Sequence, residues 1–156
     1  MKESIKTGIC FGLTSGTITT LGLMVGLAAG TSSKAAVIGG LVTIAIADAL
    51  SDALGIHISE ESKEANSKNH IWEATLATFC TKFFYALAFV IPVIAFDLEK
   101  AVMINVLWGI LVLAAMSFFI ARSQGEKARH IILEHVSIAI LVVLVTNQIG
   151  AMVAGI

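Results

Sequence analysis

The sequence predicts an all-α integral membrane protein, a five-span transmembrane helical bundle with its N-terminus in the cytoplasm. Three observations predict it. Of 156 residues, 57% are hydrophobic and only 13% are charged, with a mean hydropathy of +0.92; a water-soluble domain of this length needs more polar residues to cover its surface. Five windows each supply the roughly 20 mostly apolar residues that cross about 30 Å of hydrocarbon. Finally, Lys and Arg concentrate in alternate connections, the bias that orients polytopic proteins.

The five spans are predicted at 7–29, 35–58, 74–96, 101–121 and 131–155, within a single transmembrane domain over 1–156. The first follows Lys2 and Lys6, as the apolar core of a signal peptide would. It runs for about 20 residues and is rich in Gly and Thr, so it reads as a retained span. Gly8, Gly12 and Gly16 lie four apart, as do Gly22, Gly26 and Gly30. Such stripes share one helix face and let two backbones approach closely in lipid. They serve packing within the chain, or they line a dimer interface or pore with Thr14, Ser15, Thr17, Thr19 and Thr20 facing an ion. Pro92 removes one helix hydrogen bond and predicts a kink in the third span. In the fifth span, Asn147 and Gln148 are expected to bond across helices.

The connections are short. Gly30 to Lys34 and Asp97 to Lys100 are tight turns, Ser59 to Glu73 is the longest and most charged loop, and Arg122 to His130 is a polar linker. With the N-terminus inside, Lys2, Lys6, Lys63, Lys68, Arg122, Lys127 and Arg129 are cytoplasmic, against Lys34 and Lys100 outside. This places a multi-pass protein in the cell membrane. A net charge of −1 and the lack of a basic patch with interleaved aromatics give no case for nucleic acid. Cys10 and Cys80 sit in apolar runs and read as packing residues rather than a disulfide framework.

The chemistry concentrates in the second span. A carboxylate near mid-bilayer costs about 2.5–3.5 kcal/mol on the insertion scale, and this span holds two, Asp48 and Asp52, four apart and on one face. Two ionised acids there repel, so either one keeps a proton or a cation sits between them. His57, Glu60, Glu61 and Glu64 follow at spacings of three and four, predicted to share a broad face at the cytoplasmic mouth. Carboxylate oxygens with an imidazole suit Mn(II) or Fe(II). The alternative for the Glu cluster is a solvated helix end neutralised by Lys63 and Lys68. Lys82 in the third span either pairs with Asp48 or Asp52 or snorkels to the interface. Glu134 and His135 either complete a metal entry site or lie among headgroups. Met24 is a candidate soft ligand beside the glycine stripe. No Gly-x-Ser-x-Gly or His-Glu-x-x-His occurs, so there is no case for an enzyme.

Several of these segments resemble a known family. Gly12-Leu13-Thr14-Ser15-Gly16 and then Leu21-Gly22-Leu23-Met24-Val25-Gly26-Leu27 resemble the first span of the vacuolar iron transporter (VIT) family. Gly39-Gly40-Leu41 through Ala47, with Leu50-Ser51 and Gly55 to Ser59, resembles its second, and Phe89-Val90-Ile91-Pro92 the end of its third. The resemblance implies a homodimer with a metal path between subunits, no tightly bound cofactor, and export of Fe(II) or Mn(II) from the cytosol in exchange for protons. The chain departs from the family at Ser15, where an Asp is usual, at Asp52, where a Met is usual, and at Ile56, where a Glu is usual. Ser59 to Glu73 stands in place of longer metal-binding helices. Asp48 or Asp52 is then expected to replace the acid of the first span. The expected ion path comprises Asp48, Asp52, Ser15, Met24 and Lys82; the expected metal ligands are Asp52, Asp48, His57, Glu60, Glu61, Glu64 and Glu134. The competing reading is a non-transporting membrane subunit in which an Asp–Lys pair serves assembly.

Overall fold

A computed structural model describes all 156 residues as helices and short connections. In order they are α1 (Glu3–Thr31), α2 (Lys34–Glu61), α3 (Lys68–Ala88), α4 (Val90–Ala95), α5 (Leu98–Gln124) and α6 (Ala128–Val153). Taking α3 and α4 together as Lys68–Ala95, five helical segments are long and apolar enough to cross a membrane. The helices are longer than the apolar windows because charged residues extend them. As a result, the predicted Ser59–Glu73 loop shrinks to residues 62–67, and the Arg122–His130 linker to 125–127.

Local chemistry sets the ends. Ser33 and Ser67 cap α2 and α3, each hydroxyl accepting a backbone N–H three residues on, from Ala36 and His70 at 3.3 Å. Gly125 ends α5 in the left-handed region at φ 72°, where glycine has no Cβ penalty. The expected kink is a one-residue interruption at Phe89 between α3 and α4, where the backbone stays in the right-handed helical region. Pro92 has no N–H to offer the Ala88 carbonyl four residues earlier, and the Phe89 N–H turns back to Ala86 O at 3.2 Å. Asn105 of α5 braces the break, its Nδ2 donating to Phe89 O at 2.8 Å.

The first helix is the bundle's axis, packed against α2, α3, α5 and α6. Its two glycine stripes serve two different neighbours within the chain. A Cβ added at Gly8 would lie 2.6 Å from Ala74 O, and one at Gly12 3.0 Å from Thr78 O, both on α3. On the other stripe, a Cβ at Gly22 would lie 2.9 Å from Val142 and one at Gly30 3.2 Å from Gly150 O, both on α6. Leu21, Met24, Val25, Val37, Leu41, Phe89, Val93 and Ala101 form the apolar core, toward the end of the bundle away from the N-terminus. Only 32 of 156 residues are buried, and Leu50, Leu54, Leu111, Phe119 and Leu141 stand more than half exposed. An outside this apolar suits hydrocarbon rather than water.

Asn147 and Gln148 do not follow expectation. Both are exposed, because α6 docks through the face that carries Thr146 and Gly150 instead.

Candidate functional site: a buried lysine between two aspartates

The close approach of α1 and α3 creates the site. With glycine at 12 and 16, the backbone and stem of Lys82 lie directly on α1: a Cβ at Gly16 would sit 3.4 Å from Lys82 Cγ. The lysine is therefore drawn inward, and its side chain is 1% exposed. Its ammonium cannot snorkel to an interface, and it reaches α2 instead. Nζ lies 2.5 Å from Asp48 Oδ2, donates to Asp52 Oδ2, and donates to the Ser15 hydroxyl at 2.9 Å. Ser15 in turn donates to Asp52 Oδ2 at 2.6 Å. Three helices thus converge on one ammonium.

The two carboxylates are not equivalent. Asp52 takes two hydrogen bonds through Oδ2. Asp48 Oδ2 is close enough for an ion pair but meets no hydrogen-bond geometry, so its partnership is coulombic only. The Asp side chains are 26% (Asp48) and 20% (Asp52) exposed on the outer edge of α2. Ser15 lies twelve residues into α1, about 18 Å along its axis, and Asp52 nine residues from the end of α2, about 14 Å; the cluster sits near the middle of the helices. Two carboxylates face one ammonium, so the ionised cluster carries one uncompensated negative charge. Next to it, Thr17 donates to Leu13 O at 2.7 Å and meets the Tyr85 hydroxyl at 3.1 Å.

No family model matches this chain, and no curated protein matches it either.

The remaining predicted residues do not join the cluster. Met24 lies nine residues beyond Ser15 on α1, about 14 Å along the helix, and its sulfur faces Asn105 Nδ2 at 3.2 Å in the core. The four mouth residues do not share one face as a set of ligands. His57 Nδ1 is 3.0 Å from Thr75 Oγ1 and its ring meets the Trp72 ring edge-on. Glu60 is buried and closes the 62–67 connection: its carboxylate meets Lys63 at 2.7 Å, Asn66 at 2.8 Å and His70 at 3.2 Å. Those three contacts tie the carboxylate to the connection and to the start of α3. Glu61 and Glu64 are exposed, and Glu64 lies beyond the end of α2. Glu134 is exposed on α6, while its neighbour His135 turns inward to Ser117 Oγ at 2.8 Å. Within one chain, no group of three or more His, Cys, Asp or Glu is arranged to hold a metal ion. Of the expected cytoplasmic collecting residues, Glu60 closes the loop and His57 meets Thr75 and Trp72, while Glu61, Glu64 and Glu134 are exposed and are not brought together with them within the chain.

Sequence reasoning also missed two polar ties. Glu73 binds the start of α1, taking Lys2 Nζ at 2.5 Å and Ser4 Oγ at 2.7 Å. The only signal was an acid at the start of a span opposite a lysine near the N-terminus. Asn105, buried at 1% exposure, is one amide inside an apolar run, a pattern that marks a buried partner without naming it.

Proposed function

We propose that this chain is a multi-pass membrane protein that moves a divalent cation of the Fe(II) or Mn(II) type, with the Asp48–Asp52–Lys82 cluster as the point where cargo is held. One observation carries the reading: near the middle of the helices a fully buried Lys82 Nζ is shared by two carboxylates, a cluster that is one positive charge short whenever both acids are ionised. Hydrocarbon penalises such a charge heavily, and a passing cation relieves the penalty. Asp48, Asp52 and the Ser15 hydroxyl offer oxygen donors, the hard set that suits Mn(II). Cargo entering between the aspartates displaces the Lys82 ammonium from them, so occupancy by cargo and by lysine is mutually exclusive. The resemblance to the vacuolar iron transporter family supports export from the cytosol in exchange for protons, with the N-terminus cytoplasmic, and assembly as a homodimer. Ser51, Gly55 and Ser59 support a place for the second copy: they are exposed, four apart on α2, and a Cβ on Gly55 would meet nothing within 4 Å.

Reconstitution in liposomes tests the proposal. Wild type is expected to carry Mn(II) or Fe(II) to an entrapped indicator, and Asp52→Ala to lose most of the flux. Equal flux through both proteins overturns the mechanism.

A second reading, a non-transporting subunit held together by the ion pair, draws support from the tight enclosure of Lys82 and from the lack of a third His, Cys, Asp or Glu beside the two aspartates within one chain. Exchanging the partners, Asp52→Lys with Lys82→Asp, separates the two. Recovery of expression and assembly with no metal dependence favours the subunit.

A further inference from the structure

The start of α1 and the end of α5 lie side by side at one end of the bundle, and a crevice of about 300 Å³ opens between them. Gly8 draws this end of α1 onto α3, and the crevice lies on its α5 flank. Glu3 and Lys6 of α1 and Ser123 and Gln124 of α5 form the rim, and Cys10 and Ile120 line it one turn further along their helices. The volume is at the small end of ligand sites, about 300–1,000 Å³, which is room for one polar headgroup.

The charges at the rim do not pair with each other. Glu3 and Lys6 lie three apart on one helix, a spacing at which opposite charges commonly meet. Lys6 Nζ crosses to α5 instead and donates to Ser123 Oγ at 3.3 Å, while Glu3 takes part in no ion pair. Ser123 gives its own proton to Ile120 O at 2.8 Å, so it accepts from Lys6 without neutralising it. The crevice thus holds one ammonium and one carboxylate, each without a counter-charge. The helix ends repeat that polarity: the start of α1 is the positive end of its dipole, and the end of α5 is the negative end of its own.

We propose that this crevice binds the phosphoethanolamine headgroup of a membrane phospholipid: the phosphate lies at Lys6 and the Gln124 amide, the ammonium at Glu3, and the start of the apolar part against Cys10 and Ile120. Charge complementarity selects that class. A single zwitterionic headgroup brings both missing counter-charges, whereas a simple anion or a simple amine serves one group and leaves the other. An anionic headgroup meets repulsion from Glu3. A choline headgroup carries its positive charge without an N–H, so it forms no charge-assisted hydrogen bond to the carboxylate. The source is lipid because the crevice lies where apolar helix flanks give way to charged helix ends, with Ile120 on one side and Glu3 and Lys6 on the other. The inference rests on the membrane-spanning arrangement and not on metal transport.

Native mass spectrometry of the full-length protein in detergent, titrated with phosphatidylethanolamine, phosphatidylcholine or phosphatidylglycerol of identical acyl chains, tests the proposal. One phosphatidylethanolamine should be retained about fivefold or more tightly than either other lipid, the effect of a charge-assisted hydrogen bond at a partly exposed site. Lys6→Gln should weaken its retention, and Glu3→Gln should abolish the discrimination between ethanolamine and choline. Lys34→Gln and Glu99→Gln, at the other end of the bundle, should change neither. Glycerophosphoethanolamine, the same headgroup without acyl chains, should not displace the lipid at matched concentration. Equal retention of the three lipids, selectivity that survives both Lys6→Gln and Glu3→Gln, or displacement by the chain-free headgroup overturns the proposal. So does a preference for phosphatidylglycerol, which the basic helix ends alone would produce. Loss of Mn(II) flux with the lipid selectivity intact removes the metal reading and leaves this one standing, whereas a chain that stays dispersed without detergent removes the membrane arrangement and this inference with it.

Discussion

Removing the lysine should damage this protein far more than removing either aspartate. Lys82 is 1% exposed and faces two carboxylates that are only 20–26% exposed. Lys82→Met keeps the stem volume against Gly12 and Gly16 but leaves two facing acids with no cation. Breaking a buried pair by deleting one partner costs about 3–5 kcal/mol; because the aspartates keep some outside exposure, the lower end, about 3 kcal/mol, is the expected loss. Asp48→Asn acts in the opposite electrostatic direction. It leaves Asp52 with Lys82 and Ser15, a one-to-one pair with its hydrogen bonds intact, and removes the surplus charge. Its expected effect is within about 1 kcal/mol of zero, since the lost contact is coulombic and the surplus charge was itself unfavourable. The triple variant Asp48→Asn, Asp52→Asn, Lys82→Met should recover most of the stability lost by Lys82→Met alone. Equilibrium unfolding of detergent-solubilised protein, followed by tryptophan fluorescence, measures all of these. If Lys82→Met unfolds with wild type, or Asp48→Asn costs as much as Lys82→Met, the charge count that underlies the site is wrong.

Other perturbations should separate packing from open surface. Gly8→Ala, which places a Cβ 2.6 Å from Ala74 O, should destabilise by about 1–3 kcal/mol through overpacking, whereas Gly55→Ala, with nothing within 4 Å, should be neutral or gain up to about 1 kcal/mol of helix propensity; the same unfolding curves decide both. Asn105→Leu leaves the Phe89 carbonyl at the helix break without its 2.8 Å donor and should cost about 1–3 kcal/mol. Glu60→Gln weakens the bonds to Lys63 and His70 that close the connection, so amides of residues 62–67 should exchange hydrogen faster by mass spectrometry; unchanged exchange would mean the carboxylate does not order the loop. In a Cys10→Ala, Cys80→Ala background, Gly55→Cys should form a disulfide-linked dimer in membranes if two copies meet along α2, and a chain that stays monomeric under oxidation removes that arrangement.

Much of this architecture is legible in the residues, for identifiable reasons. Apolar windows of about 20 residues have few structural options, and the break at Pro92 follows from one missing N–H. Asp48 and Asp52 stand out because acids are expensive where they lie. The depth of Lys82 was ambiguous for a physical reason: a long flexible stem can reach out or in, and what decides is the glycine pair at 12 and 16 on another helix. The predicted mouth residues lie apart within the chain for a related reason. Spacings of three and four put His57, Glu60 and Glu61 near one another on α2, but periodicity says nothing about Thr75, Asn66 and His70 arriving from α3 and the connection to occupy them. Helix ends also ran past the apolar windows, because charged residues are good helix formers once a helix has begun.

In the proposed membrane-spanning arrangement, the sharing of one ammonium among α1, α2 and α3 has a consequence for how the chain would enter a bilayer during synthesis. Alone, α2 presents two acids to the lipid, about 5–7 kcal/mol of insertion penalty in sum, against which its leucines and isoleucines must work unaided. The cation that cancels one of them arrives thirty residues later than Asp52, on the next long helix. On that arrangement the favourable unit of insertion is the α2–α3 hairpin, with α2 kept in a protected, water-accessible setting until Lys82 has left the ribosome.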